Sequence, residues 1–116
     1  MLIVEPDPLT QWALKMYLAR WFAVDSTDTI VGAQGILDAR PVDALVMSNE
    51  LPSIGLASLE ERARSHTAEV AIVRTVADPG RPRLPGARTG YLEKPFELAQ
   101  LGRLLGIPES ELPHEA

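Results

Sequence analysis

Val42-Asp-Ala-Leu-Val-Met-Ser48-Asn-Glu-Leu-Pro52 decides how the rest of the chain is read. Ala44 to Met47 is a short unbroken apolar run, the form taken by a strand buried on both faces, and the polar stretch after it runs through Pro52 and Gly55 before helical spacing resumes. Pro41 stops whatever precedes the strand, and Ser48 ends it with a hydroxyl.

Similar strand and helix units lie on both sides. Leu2 to Val4 is a first strand, and Leu14, Tyr17, Leu18 and Trp21 then recur at i, i+3, i+4 and i+7, one face of a helix opening near Pro8. Phe22 to Val24 reads as the second strand. Ser26, Thr27 or Asp28 is expected to cap the next helix, in which Ile30, Ala33 and Leu37 share a face and Gly32 and Gly35 weaken the turn they occupy. After the third strand comes a helix from about Leu56 to Ser65, then a fourth strand at Val70 to Val73 and a short fifth at Tyr91 to Glu93. The last helix carries Leu98, Leu101 and Leu105 until Gly106 and Pro108 end it. Five βα units of this kind predict an α/β fold: a doubly wound parallel sheet covered on both faces.

Residues 76 to 90 break the pattern. They hold Pro79, Pro82 and Pro85 together with Gly80, Gly86 and Gly90. Each internal proline costs a helix about 3 kcal/mol, so the fourth crossover helix is expected to be degraded.

Composition bounds the function. At 116 residues with 46% apolar content the chain fits one core, predicted as a single domain over residues 1–107 with a C-terminal tail at 108–116. With no cysteine it has neither disulfide nor thiolate metal site, and a cytoplasmic location is expected. The longest apolar runs fall far short of the about 20 residues that span a bilayer, and Met1 leads into Leu2-Ile3-Val4 with no basic leader. Neither membrane insertion nor export is expected. A net charge of −5 repels polyanions on average, so the expected partner is a protein and not nucleic acid. Arg74, Arg81, Arg83, Arg88 and Lys94 form a basic stretch, but no aromatic between Arg74 and Arg88 could stack on bases; a solvated loop or a contact for an acidic protein surface fits better. Trp12 and Trp21 are assigned to packing of the first helix and cover of its end. His66 and His114 lie too far apart for a metal pair, Ser48 has no G-x-S-x-G elbow, and no G-x-G-x-x-G or P-loop follows a strand. The chain is therefore not expected to be an enzyme.

Ligands of a doubly wound sheet gather at the carboxyl ends of its strands. Those ends carry Glu5, Pro6 and Asp7, then Ser48, Thr75, and Lys94 followed by Pro95. In order and spacing these residues, from Leu2-Ile-Val-Glu-Pro-Asp-Pro8 to Tyr91-Leu-Glu-Lys-Pro-Phe96, resemble the receiver domain of two-component response regulators. The resemblance covers nearly the whole chain. It implies a flavodoxin-like (βα)5 fold with strand order 2-1-3-4-5, and signalling as the role. It also implies that Glu5 and Pro6 stand at the acidic pair, Ser48 at the phosphoacceptor, Thr75 and Tyr91 at the switch positions, and Lys94 at the phosphate-facing lysine, with a cis bond to Pro95.

Three features depart from that family. Serine replaces the aspartate that is phosphorylated, proline replaces the second acidic residue, and Pro52-Ser-Ile-Gly55 is one residue shorter than the usual loop. In the family the acceptor aspartate and the second member of the acidic pair hold Mg²⁺, whereas Glu5 and Asp7 are left here as a remnant acidic pocket. Too few oxygen ligands remain for a hard cation, so no cofactor is expected and no Mg²⁺. Lys94 is expected to pair with Glu5 or Asp7. The chain reads as a pseudo-receiver that signals by docking to a protein partner or output domain, or by homodimerisation, through the face of the fourth crossover, fifth strand and last helix. The alternative is a receiver still switched by phosphorylation at a non-standard residue such as Asp7 or Ser48, or by an anion near Lys94.

Overall fold

A computed structural model describes residues 1–76, 89–94, 98–108 and 110. Its elements run β1 (Leu2–Val4), α1 (Pro8–Leu18), β2 (Asp25–Thr27), α2 (Ile30–Ala39), β3 (Ala44–Ser48), α3 (Ser53–His66), β4 (Ala71–Val76), β5 (Thr89–Glu93) and α4 (Leu98–Leu104). The strands form one parallel sheet in the order β2-β1-β3-β4-β5. This is the predicted flavodoxin-like order. The expected degradation of the fourth crossover helix falls on residues 77–88, outside those described, as does most of the tail.

Two apolar layers hold the sheet. Leu2, Val4, Leu45, Met47 and Ile72 face α2 and α3, where Leu37, Leu56 and Leu59 meet them. Ile3, Ala44, Val46 and Val73 point the other way, toward Leu14, Tyr17 and Leu18 of α1 and Leu101 of α4. Period-two alternation sends neighbouring side chains to opposite layers, and both layers are apolar, so β1 and β3 carry unbroken apolar runs.

Local chemistry fixes the helix starts. Asp7 caps α1 by accepting from the Thr10 backbone N–H at 3.0 Å and from its hydroxyl, with Pro8 at the first helical position. Those two hydrogen bonds, the side-chain one foremost, hold the Asp7 pKa below the ordinary aspartate value of 3.8. The cap is therefore fully formed above that value and is lost as pH falls through the lowered one. At the far end Gly106 takes a positive φ of 82°, and the Ile107 N–H returns to the Gly102 carbonyl at 2.9 Å.

Several sequence expectations are corrected. The second strand is Asp25–Thr27 and not Phe22 to Val24; those three polar-sided residues pair with Leu2–Val4, while Phe22 and Val24 pack beneath the α1 layer. The α2 cap is Thr29, whose hydroxyl accepts from the Gly32 N–H at 3.0 Å, so Ser26, Thr27 and Asp28 do not serve. Gly32 is also more than a weak helix former: a Cβ there would stand 2.3 Å from the Thr27 hydroxyl oxygen, so the close approach of α2 to β2 requires glycine. The third helix begins at Ser53, ahead of the expected Leu56, and β4 is displaced to Ala71–Val76. Trp21 does cover the end of α1, its ring 5.2 Å from that of Tyr17, but Trp12 is exposed and packs no core.

Candidate functional site

β1, β3, β4 and β5 are parallel and adjacent, so their carboxyl ends open on one edge of the sheet. Glu5 follows β1 and is 1% exposed. Its backbone continues the pairing, with the Glu5 N–H donating to the Thr27 carbonyl at 3.0 Å, and the Gln11 side chain donates to the Glu5 carbonyl at 2.9 Å. Both carboxylate oxygens are engaged: Oε1 accepts from Lys94 Nζ at 2.7 Å and Oε2 from the Asp7 N–H at 3.0 Å. The expected Lys94 pair is thus formed with Glu5, not with Asp7, whose side chain turns outward to cap α1.

Ser48 ends β3, buried, and lies opposite Thr75 in the parallel register. Its hydroxyl oxygen accepts from the Glu50 N–H at 3.3 Å, and the Glu50 carboxylate reaches Lys94 at 3.6 Å. Ser48, Glu50, Lys94, Glu5 and Asp7 are thereby joined in one series of hydrogen bonds and ion pairs. Lys94 is placed by the ladder itself, its N–H donating to the Val76 carbonyl at 2.7 Å. Tyr91 lies on β5 opposite Arg74, half-buried, and Pro95 with its peptide bond is outside the described residues.

The Thr75 hydroxyl stands apart: it is buried and has no hydrogen-bond partner among the described residues. A buried hydroxyl in that state costs on the order of 1–3 kcal/mol. Thr75→Val is therefore expected to raise stability by about 1 kcal/mol, read from urea denaturation midpoints.

A second polar cluster lies on the α3 side of β4. Arg74, assigned from sequence to a solvated basic stretch, is 3% exposed. Its Nε donates to Glu60 Oε1 of α3 at 2.8 Å, and its Nη1 lies 3.4 Å from the buried Asn49 amide oxygen. Glu60 also meets Arg64 at 3.4 Å. Sequence reasoning missed Asn49, Glu50 and Glu60. The available signal was Arg74 itself, since a cation directly after Val70–Val73 in a central strand demands a buried carboxylate.

A parallel sheet in order 2-1-3-4-5 with hydroxyl and charged groups gathered at its carboxyl edge defines a flavodoxin-like domain of the doubly wound class. No protein-family model matches the chain. It is 34% identical over 110 residues to the transcriptional regulatory protein QseB of Haemophilus influenzae, a match spanning 90% of this chain and 49% of that one. The chain thus spans about half the length of the curated relative it matches. Among solved structures it is similar to the receiver domain of a sensor histidine kinase of Pseudomonas aeruginosa with magnesium coordinated in its active-site cleft (TM-score 0.73, 25% identity, 90% of this chain and 91% of that one). It is also similar to a sensor protein of Polaromonas (TM-score 0.71, 27% identity, 90% of each chain). A receiver domain protein of Bacillus halodurans, at 20% identity and TM-score 0.70 over 90% of each chain, shares the fold. The sequence relative and the structural neighbours together support a likeness to receiver domains of the response-regulator kind. Among the described residues no helix is long and apolar enough to cross a membrane.

Proposed function

We propose that this domain is a pseudo-receiver, which transmits its signal by protein contact and carries no aspartyl phosphate. The observation that carries the proposal is the closed Glu5–Lys94 pair. An acyl phosphate requires a carboxylate oxygen in line with the donor and a divalent cation to neutralise charge growing on the phosphoryl oxygens. Ser48 offers a neutral hydroxyl, and Pro6 offers neither carboxylate nor N–H. Glu5, the carboxylate best placed to bind a cation, already has both oxygens occupied. Among the described residues no group of three or more His, Cys, Asp or Glu side chains could hold a metal ion. This donor set does not suit a hexacoordinate hard cation, in contrast to the cleft of the Pseudomonas neighbour with its magnesium.

On this reading Ser48→Asp does not restore phosphorylation. The other metal-binding carboxylate is still missing at Pro6, and Lys94 remains tied to Glu5. Intact mass after incubation with Mg²⁺ and acetyl phosphate is expected to be unchanged for that variant, with a folded circular dichroism spectrum. Efficient labelling would overturn the account of the site.

A partner or output domain is proposed to dock on the β5–α4 face, where Leu104 is exposed and Tyr91 and Leu92 are half-buried. The domain itself catalyses nothing. The Thr75 hydroxyl, unpartnered among the described residues, favours a second reading, in which an anion bound near Lys94 acts as the switch. Saturable quenching of tryptophan fluorescence by beryllofluoride or inorganic phosphate supports the second reading, and a flat titration supports the first.

A further inference from the structure

A groove runs between α1 and the edge of the sheet. Pro8, Gln11, Trp12 and Lys15 follow the i, i+3, i+4, i+7 rule, so they form one stripe of α1, which faces Ser26 and Asp28 across an open cleft of about 500 Å³. β2 is an edge strand, the end of the order β2-β1-β3-β4-β5. The Asp25 N–H donates to the Met1 carbonyl and the Thr27 carbonyl accepts from the Glu5 N–H, both at 3.0 Å, which turns residues 25 and 27 toward β1. Ser26, between them, therefore turns its N–H and C=O outward, where no strand meets them. Its side chain lies on the α1 face with Ile3, its partner in register. Edge strands are ordinarily blunted by a charge, a proline or a bulge. Asp25, the one charge of β2, lies with Leu2 on the α2 face and pairs with Arg40, so the edge is left open on the α1 side.

The walls of the groove identify its occupant. Trp12 is 61% exposed and sets a flat apolar surface in a cleft lined mostly by polar groups. Asp28 and Lys15 are exposed in the same cleft, and their charged groups have neither hydrogen bond nor ion pair among the described residues. Asp28 and Pro8 follow the carboxyl ends of β2 and β1, whereas Lys15 lies further down α1, about 10 Å from Pro8 at about 1.5 Å per residue. The two charges thus mark opposite ends of the groove, and a small ion would meet only one of them. An extended peptide meets both, together with the outward backbone of Ser26. Added antiparallel to β2, it exchanges two main-chain hydrogen bonds with Ser26, and its residue opposite Ser26 turns its side chain to the same face, toward Trp12. Two residues before that one, a basic side chain comes beside Asp28. Two residues after it, an acidic side chain comes within reach of the flexible Lys15 stem.

We propose that the groove between α1 and β2 binds an extended segment of a partner protein, of the pattern basic-x-apolar-x-acidic, as an added antiparallel strand. The surface lies at the opposite edge of the sheet from β5. The probe is the peptide acetyl-Thr-Lys-Thr-Val-Thr-Glu-Thr-amide. A Trp21→Phe chain retains Trp12 as its one tryptophan, and its emission should shift to the blue and saturate, with half-saturation below about 1 mM. Calorimetry on the wild-type chain should give the same dissociation constant. A peptide with its lysine and glutamate exchanged should bind about tenfold more weakly, and the Lys15→Glu, Asp28→Lys chain should reverse that preference. Methylation of the valine amide nitrogen, which removes the donor to the Ser26 carbonyl and keeps every charge, should also weaken binding by about tenfold. Each variant is checked for a wild-type thermal transition. A first peptide that fails to saturate the wild-type chain would overturn the proposal. So would equal binding of the methylated peptide, or a charge-reversed chain that keeps the wild-type preference. None of these measurements involves a phosphodonor, so their outcome is separate from that of the phosphorylation tests.

Discussion

Lys94→Ala lowers the stability of the domain by about 3 kcal/mol, because it leaves the Glu5 carboxylate buried at 1% exposure without its cation. The loss stands at the low end for a buried pair since Lys94 itself is 20% exposed and Glu5 keeps the Asp7 N–H. Desolvation is the deciding effect. An exposed pair at the same 2.7 Å separation would contribute at most about 1 kcal/mol. The double variant Glu5→Gln with Lys94→Met, in which no charge is buried, is expected to recover at least half of the loss. Urea denaturation of the four members of the cycle gives the coupling directly. Single variants within about 0.5 kcal/mol of wild type would show that the pair is not closed in solution.

Glu60→Leu is expected to be the most damaging single change on the α3 side, at about 4 kcal/mol, since it strands the 3% exposed Arg74 guanidinium beside the Asn49 amide. Arg74→Met should cost less, about 3 kcal/mol, because Glu60 retains Arg64 at 3.4 Å and is 12% exposed. Replacing both removes the buried charges together, and the Arg74→Met, Glu60→Leu chain should return close to wild-type stability. Thermal melts of the three chains check the order. Equal losses in both singles, or a double variant worse than either, would contradict the assignment of the cluster as a charge pair tying β4 to α3.

Most of the sheet was legible because its central strands are buried on both faces. Ala44 to Met47 and Leu2 to Val4 are apolar without interruption, and no other element type fits runs so short between turn residues. The edge strand was not legible. Asp25-Ser-Thr27 is half-buried, so hydrophobicity does not mark it, and the aromatic and aliphatic residues just before it attract the assignment while serving the layer under α1. Arg74 misled for the opposite reason. A charge is read as solvated unless a partner is visible, and its partner Glu60 is fourteen residues earlier on a helix that only the fold brings over β4.

The site was half legible. Glu5, Ser48, Thr75 and Lys94 are strand-end residues whose gathering follows from the parallel topology, and the choice between Glu5 and Asp7 for Lys94 was left open. Geometry decided it: Asp7 lies just beyond Pro6, where its side chain caps α1. Glu50 carries no signal in sequence. It enters the series through its backbone N–H to Ser48 and a longer approach to Lys94, both products of how the loop after β3 turns.

The account of the site is tested most directly by the intact mass of the wild-type chain after incubation with Mg²⁺ and excess acetyl phosphate, alongside a receiver domain that retains its acceptor aspartate. The mass of this chain is expected to stay unchanged while the control gains a phosphoryl group. A phosphoryl adduct on this chain that maps to Ser48, Glu5 or Asp7 would contradict it.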